Sequence, residues 1–203
     1  MTSLRLRCSS LLLAGLLGLP SVAAALDRTQ LLDEANLLLL PRARPLPAVE
    51  LVDQHGEAYR TDALDGRWHL MFVGFTFCPD ICPTTLSELR RLLAGLPAPI
   101  REQIQVTLVS VDPRRDSPER LKTYLGYYRA GFEGVTGELA ELKRLTQALG
   151  LPFTPADGAT GDYSVAHSAN VALVDPTGRL VGHLRAPLAI DALQTVLPEV
   201  IED

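Results

Sequence analysis

A chain of 203 residues, 47% of them hydrophobic, is long and apolar enough to bury one real core, which excludes disorder as its main state. Its net charge of −5, without any long basic run, excludes a surface built to track nucleic-acid phosphates.

At the N-terminus, Arg5 and Arg7 precede the apolar run LLLAGLLGLPSVAAAL, which closes on the small residues Ala23, Ala24 and Ala25, the pattern of an export signal. Pro20 interrupts the run, and a bilayer span needs roughly 20 predominantly apolar residues, so residues 1–25 are expected to be a cleaved signal peptide; a retained anchor, giving membrane association, is the alternative. Cleavage near Ala25 would remove Arg5, Arg7 and Cys8, leaving 17 basic against 24 acidic residues, a net charge of −7, and two cysteines. Export implies a place in the periplasm or at the outer face of the inner membrane. In such an oxidising compartment two lone cysteines are normally found as a disulfide.

Residues 27–47, DRTQLLDEANLLLLPRARPLP, read as a short helical or irregular lead-in ended by three prolines within seven residues, so residues 26–47 are expected to be a linker. AVELVDQHGEAYR holds two short strands about the turn DQHG, and WHLMFVGFTF, almost continuously apolar, is a strand covered on both faces. A helix follows with Leu86, Leu89, Leu92, Leu93 and Leu96 on one side, then the buried strand IQVTLVSVD. In DSPERLKTYLGYY, Ser117 is placed to cap a helix whose first residue is Pro118. The helix GELAELKRLTQAL stops at Gly150 with Pro152 just beyond. A loop then leads to the strand ANVALVD, the turn DPTG, the strand RLVGHL and a closing helix near LAIDALQTVL. Strands alternating with helices, followed by a hairpin and a helix, predict one α/β domain over residues 48–203. Its expected form is a central mixed sheet flanked by helices, in the order of a thioredoxin-like fold with an N-terminal β-hairpin extension.

The sequence GFTFCPDICPTTL sets Cys78 and Cys82 three residues apart, each followed by proline. A residue before proline is pushed out of the α region. Cys82 is therefore predicted to cap the next helix, with Pro83 as its first residue and the Cys82 thiolate favoured by the helix dipole. Cys78 falls at the carboxyl end of the central strand, where α/β sheets usually place reactive groups. Thiolate–metal bonds of ~2.3 Å let two sulfurs on one ion lie up to roughly 4.6 Å apart, whereas a disulfide needs ~2.05 Å. A loop one residue longer than C-x-x-C has the slack for both states, and the two exclude each other. A soft thiolate pair suits Cu(I), with an imidazole as third ligand. Of the four histidines, His55, His69 and His183 read as structural or solvated. His167 lies in the loop GDYSVAHSAN, just before a strand that in a thioredoxin-like arrangement returns beside the cysteine loop.

Taken in order over about residues 48–197, the stretches GFTFCPDICPTTL, SVDPRRDSPERLKTYL and YSVAHSANVALVDPTGRLVG resemble the three motifs of the Sco/SenC family, copper-handling assembly factors for cytochrome c oxidase. The resemblance implies copper ligands at Cys78, Cys82 and His167, holding one copper per chain, as Cu(I), Cu(II) or both, when the cysteines are reduced. It implies three partners: the copper A-containing subunit of the oxidase, a copper donor and a thiol reductant. The residue before the histidine, often acidic in the family, is Ala166 here. Asp112 and Asp116 match family positions, and a turn before Pro113 and negative charge at a helix N-terminus are sufficient roles for them.

Competing readings remain at this level. A copper metallochaperone uses all three residues. A thiol-disulfide oxidoreductase that reduces the copper A cysteines needs Cys78 and Cys82 as its redox pair and gives His167 no necessary role. A peroxide-reducing enzyme would need one cysteine held by an arginine, and structural zinc would need a fourth ligand. A purely structural disulfide would staple a loop that needs none.

Overall fold

The computed structural model describes residues 22–64, 66–156, 158, 161 and 163–202. The signal peptide expected at residues 1–25 therefore lies outside the described residues as far as position 21. The chain opens with α1 (Val22–Glu34) and reverses at Asn36, whose φ of 52° is a left-handed conformation that asparagine tolerates.

The next segment corrects the expectation of a linker. Leu37–Pro45 forms a strand, β1, despite Pro41 and Pro45. It pairs antiparallel with the strand Arg179–Leu184 at one end of the sheet, and its register shifts between Leu39 and Arg44. Prolines are compatible with an outermost strand, because half of its backbone N–H groups need no partner in the sheet.

The hairpin β2 (Glu50–Asp53) and β3 (Ala58–Arg60) forms as expected. The Asp53 carboxylate accepts the His55 N–H at 2.7 Å and the Glu57 N–H at 2.9 Å, fixing the turn. Then follow β4 (Trp68–Gly74), α2 (Ile81–Gly95), the single turn α3 (Ala98–Arg101), β5 (Ile104–Ser110) and α4 (Pro118–Gly126). The chain finishes with β6 (Glu133–Thr136), α5 (Leu139–Ala148), β7 (Val171–Val174), β8 (Arg179–Leu184) and α6 (Ile190–Glu202). Ser117 caps α4 by accepting the Arg120 N–H at 3.3 Å. The elements β6 and α3 were not anticipated; β6 has only four residues, too few to carry a legible alternation.

The eight strands lie in the order β1-β8-β7-β4-β5-β6-β2-β3, with β4, β5 and β6 mutually parallel and the other pairs antiparallel. β4 shows why the central strands are apolar throughout. Successive side chains point to opposite faces. Leu70 and Phe72 enter the core under α2 and α6, and Met71 and Val73 enter the core under α5. Within the first core Leu86, Leu89 and Leu92 of α2 are wholly buried, and truncating one to alanine would cost about 2–5 kcal/mol. A mixed sheet with helices on both faces is the thioredoxin-like α/β fold, extended at the β6 side by the β2–β3 hairpin.

Candidate metal centre

β4 ends at Gly74, and Phe75, Thr76 and Phe77 carry the chain to Cys78 at the carboxyl edge of the sheet. The helix α2 begins earlier than the prolines suggest: Asp80 is its N-cap, so Cys82 and Pro83 are its second and third residues. Proline is tolerated there because no N–H in the first turn has an intrahelical acceptor. The orphan N–H of Cys82 is instead directed at the Cys78 Sγ, 3.4 Å away. The electropositive end of the helix therefore acts on Cys78. Cys82 was expected to hold a favoured thiolate; it is fully buried, and burial pushes its thiol far above the ordinary range.

Space for the Cys82 sulfur is made by Gly74. A Cβ there would lie 2.6 Å from the Cys82 Sγ and 3.2 Å from both Leu108 Cδ1 and Phe72 Cε1. The sequence reading overlooked this residue, although a glycine inside an apolar strand commonly marks such a close approach.

His167 arrives on the loop between α5 and β7. The Thr154 N–H donates to the Ala166 carbonyl at 2.9 Å, an isolated antiparallel bridge that fixes the residue before the histidine. The ring stands edge-on to Phe72 and Phe75, with centroids 6.0 and 5.7 Å away. Its Nδ1 is 3.0 Å from the Ser168 carbonyl. A carbonyl only accepts, so the contact assigns the proton to Nδ1 and leaves the Nε2 lone pair facing the sulfurs. The Nε2 lies 3.5 Å from the Cys82 Sγ. Burial lowers the His167 pKa, with the Ser168 carbonyl opposing in part, and keeps the ring in the neutral form a ligand requires.

The two Sγ atoms and one imidazole nitrogen lie within 4.8 Å of one another, and among the described residues no other group of three such side chains does so. Both cysteines are free thiols, Cys78 half-buried at the rim and Cys82 enclosed. The other histidines serve elsewhere. His183 Nε2 meets the Leu149 carbonyl at 2.7 Å, buried His69 lies 3.3 Å from the Thr107 hydroxyl, and His55 sits in the β2–β3 turn. At the rim Phe77 and Ile81 are exposed, and the Arg120 and Arg115 guanidinium groups lie 3.9 and 4.7 Å from the Phe77 ring centroid.

Asp112 and Asp116 do not join the cluster of Cys78, Cys82 and His167 but hold the segments around it. Asp116, fully buried, accepts the Thr76 N–H at 2.9 Å and the hydroxyls of Thr76 and Ser110 at 2.6 Å each. Asp112 accepts from Arg115 and, at 2.8 Å, from the Tyr163 hydroxyl. Their bonds explain them better than a turn and a helix charge.

Two thiolates with one imidazole make a donor set matched to a soft, low-coordinate ion such as Cu(I), and one ligand short of structural zinc. Fold and site together define a thioredoxin-like protein whose two thiols and one imidazole, gathered at the carboxyl edge of its sheet, could hold a metal ion. The SCO1/SenC family model matches residues 42–202, and the chain belongs to that family. It is 59% identical over 198 residues to a protein of Stutzerimonas stutzeri whose name ascribes copper binding to it, covering 98% of this chain and 96% of the relative. The solution structure of apo Sco1 from Thermus thermophilus superposes with a TM-score of 0.70 at 32% identity, covering 81% of this chain and 96% of that one. Copper-bound ScoI of Bradyrhizobium japonicum gives 0.66 at 30% identity, covering 76% and 98%.

Proposed function

We propose that this protein carries copper, bound by the Sγ atoms of Cys78 and Cys82 and the Nε2 of His167, and delivers or prepares it for the copper A centre of cytochrome c oxidase. The observation that carries the reading is the orientation of His167. Its Nδ1 meets the Ser168 carbonyl, so its Nε2 lone pair is left facing the Cys82 thiol at 3.5 Å in a cluster that Cys78 completes, an arrangement a dithiol reductant has no need of. Copper-bound structures of related chains support the choice of metal. Family membership supports the assembly role.

Loading needs both sulfurs as thiolates, so it releases protons to solvent. Cys82 holds its proton more tightly than an ordinary cysteine, and the metal must displace it. A Cys78–Cys82 disulfide removes both thiolates, so oxidation prevents loading and a thiol reductant must act first. The export pattern at residues 1–25 supports work outside the cytoplasm, where a copper donor, that reductant and the oxidase subunit would be met.

A second reading is favoured by the contrast between a rim thiol and an enclosed one. Cys78 attacks a disulfide of the oxidase subunit, forming a mixed disulfide and releasing one partner thiolate. Cys82 then attacks Cys78, releasing the second partner thiolate and leaving a Cys78–Cys82 disulfide.

His167→Ala separates the two. It should leave the disulfide able to form and break, weaken copper binding roughly 10 to 100-fold as losing a ligand or its close support does, and abolish oxidase assembly. Full copper affinity and normal assembly in His167→Ala, with both lost in Cys78→Ser or Cys82→Ser, would overturn the three-ligand model and leave the reductase.

A further inference from the structure

The segment Asp112–Asp116 is a single turn, closed by the Arg115 and Asp116 N–H groups on the Asp112 carbonyl at 3.1 and 2.9 Å. It supplies no metal ligand, yet it bonds to both loops that do. On one side Asp116 takes both the N–H and the hydroxyl of Thr76, two residues before Cys78, and Arg120 Nε donates to the same hydroxyl at 2.6 Å. On the other side Asp112 takes the hydroxyl of Tyr163, four residues before His167. Arg115 donates to the Tyr163 carbonyl at 3.0 Å and its guanidinium carbon lies over the Tyr163 ring, 3.5 Å from the centroid. Ser110 joins the two halves, donating its hydroxyl to Asp116 and accepting the Asp112 N–H at 3.3 Å. The result is one continuous chain of polar contacts: Tyr163, Asp112, Ser110, Asp116, Thr76.

We infer that Asp112, Arg115 and Asp116 form a clasp whose two arms set the position of His167 relative to Cys78 and Cys82, making them positioning residues for copper. The inference rests on the copper-binding reading above. Its physical basis is that one short turn bonds to both loops that carry the three side chains. Among the described residues, the loop that carries His167 from α5 to β7 forms no strand or helix, and its ladder contact is the Thr154–Ala166 bridge. The bridge at Ala166, the buried Val165 and the Phe72 and Phe75 rings seat the histidine, and side-chain bonds upstream of it add to its register against the sulfurs. The clasp supplies those bonds at Tyr163. The same rigid turn holds the cysteine loop, so the separation of the two loops is fixed by one short piece of backbone. The outer partners that orient a metal's ligands typically matter to affinity nearly as much as the ligands themselves.

The two arms predict different behaviour, which a double-mutant cycle reads directly. Tyr163→Phe removes only the hydroxyl of a half-buried ring, so the domain should fold. It should weaken copper binding by the reduced protein roughly tenfold, while the reduction potential of the Cys78–Cys82 pair stays at the wild-type value. In a His167→Ala background, where no imidazole remains to be positioned, the same change should have no effect. Thr76→Val cuts the other arm and should weaken copper in both backgrounds. Arg115→Met loses both the Tyr163 contacts and the contact with the Phe77 ring beside Cys78, so it should weaken copper in both backgrounds, and more where His167 is present. The inference is overturned if Tyr163→Phe leaves copper affinity unchanged, or if it weakens it equally with and without His167. Failure of the wild-type protein to bind copper, or copper binding indifferent to His167→Ala, would instead overturn the functional reading on which the clasp depends.

Discussion

Replacing Gly74 with alanine should damage the metal centre without touching a ligand. Non-bonded heavy atoms settle roughly 3.5–4.0 Å apart, and the new Cβ would stand 2.6 Å from the Cys82 Sγ, so one of them must move by about 1 Å. Neither moves freely. Leu108 and Phe72, at 3.2 Å, close the other sides of the new methyl, and Cys82 is fixed to the first turn of a helix whose apolar face is buried. Overpacking of this kind typically costs about 1–3 kcal/mol, and in a domain of this size each kcal/mol lowers Tm by roughly 2–4 °C. Copper should suffer more, because metal sites tolerate ligand displacements of only ~0.2 Å. We expect affinity to fall at least as far as when a close support is lost, roughly 10 to 100-fold, measured by titrating the reduced protein against a competing Cu(I) chelator. Gly182→Ala is the control. There the Cβ would meet the Leu38 carbonyl oxygen at 2.5 Å, on β8, two strands from β4, so stability should fall and copper affinity should hold. Wild-type copper affinity in Gly74→Ala would refute the reasoning, and so would equal copper losses in the two variants.

An alkylating reagent added to the reduced protein should modify Cys78 well before Cys82, which is fully buried and holds its proton tightly; equal rates in a peptide-mapping time course would contradict this asymmetry. Asp175 anchors the β7–β8 turn. Burial pushes its carboxyl pKa up, but the Thr177 hydroxyl, the Arg179 N–H and guanidinium and the Thr177 N–H outweigh it and hold the carboxyl below its usual range. Because the folded value lies below the unfolded one of ~3.9, its contribution is whole above that pH and is lost as pH falls through the folded value. The stability gap between wild type and Asp175→Asn should thus be constant from neutrality to about pH 5 and close in stronger acid. A gap that persists unchanged through acid unfolding would show that Asp175 acts by something other than its charge.

Much of the scaffold is legible in the sequence because the signals are local. Continuous apolar runs mark β4 and β5, Ser117-Pro118 marks the start of α4, and DPTG marks the β7–β8 turn. The convergence of Cys78, Cys82 and His167 follows from motif order and from a fold that returns β7 beside β4. Besides β6 and α3, too short to carry a signal, three features escaped the sequence reading, and each depends on a neighbour distant in the chain. β1 is disguised by prolines that only an outermost position permits. Spacing alone credited Cys82 with the helix dipole, because the cap geometry depends on where the Cys78 sulfur lies and burial decides the acidity. Tyr163 bears no chemical signature at all until the fold sets it against Asp112 and Arg115.

The outward side of β1 governs how the molecule behaves in company. An unpaired strand is a template on which another chain can add hydrogen bonds, and long flat ones seed aggregates. On β1, Pro41 and Pro45 remove two donors from the row, the register shift after Leu39 spoils its regularity, and Arg42 and Arg44 would face like charges in a second copy. The opposite border, β3, is three residues long. Both borders of the sheet thereby offer little to a further strand, while apolar side chains stand exposed elsewhere: Phe77 and Ile81 at the mouth of the candidate metal centre and Tyr127 just beyond α4.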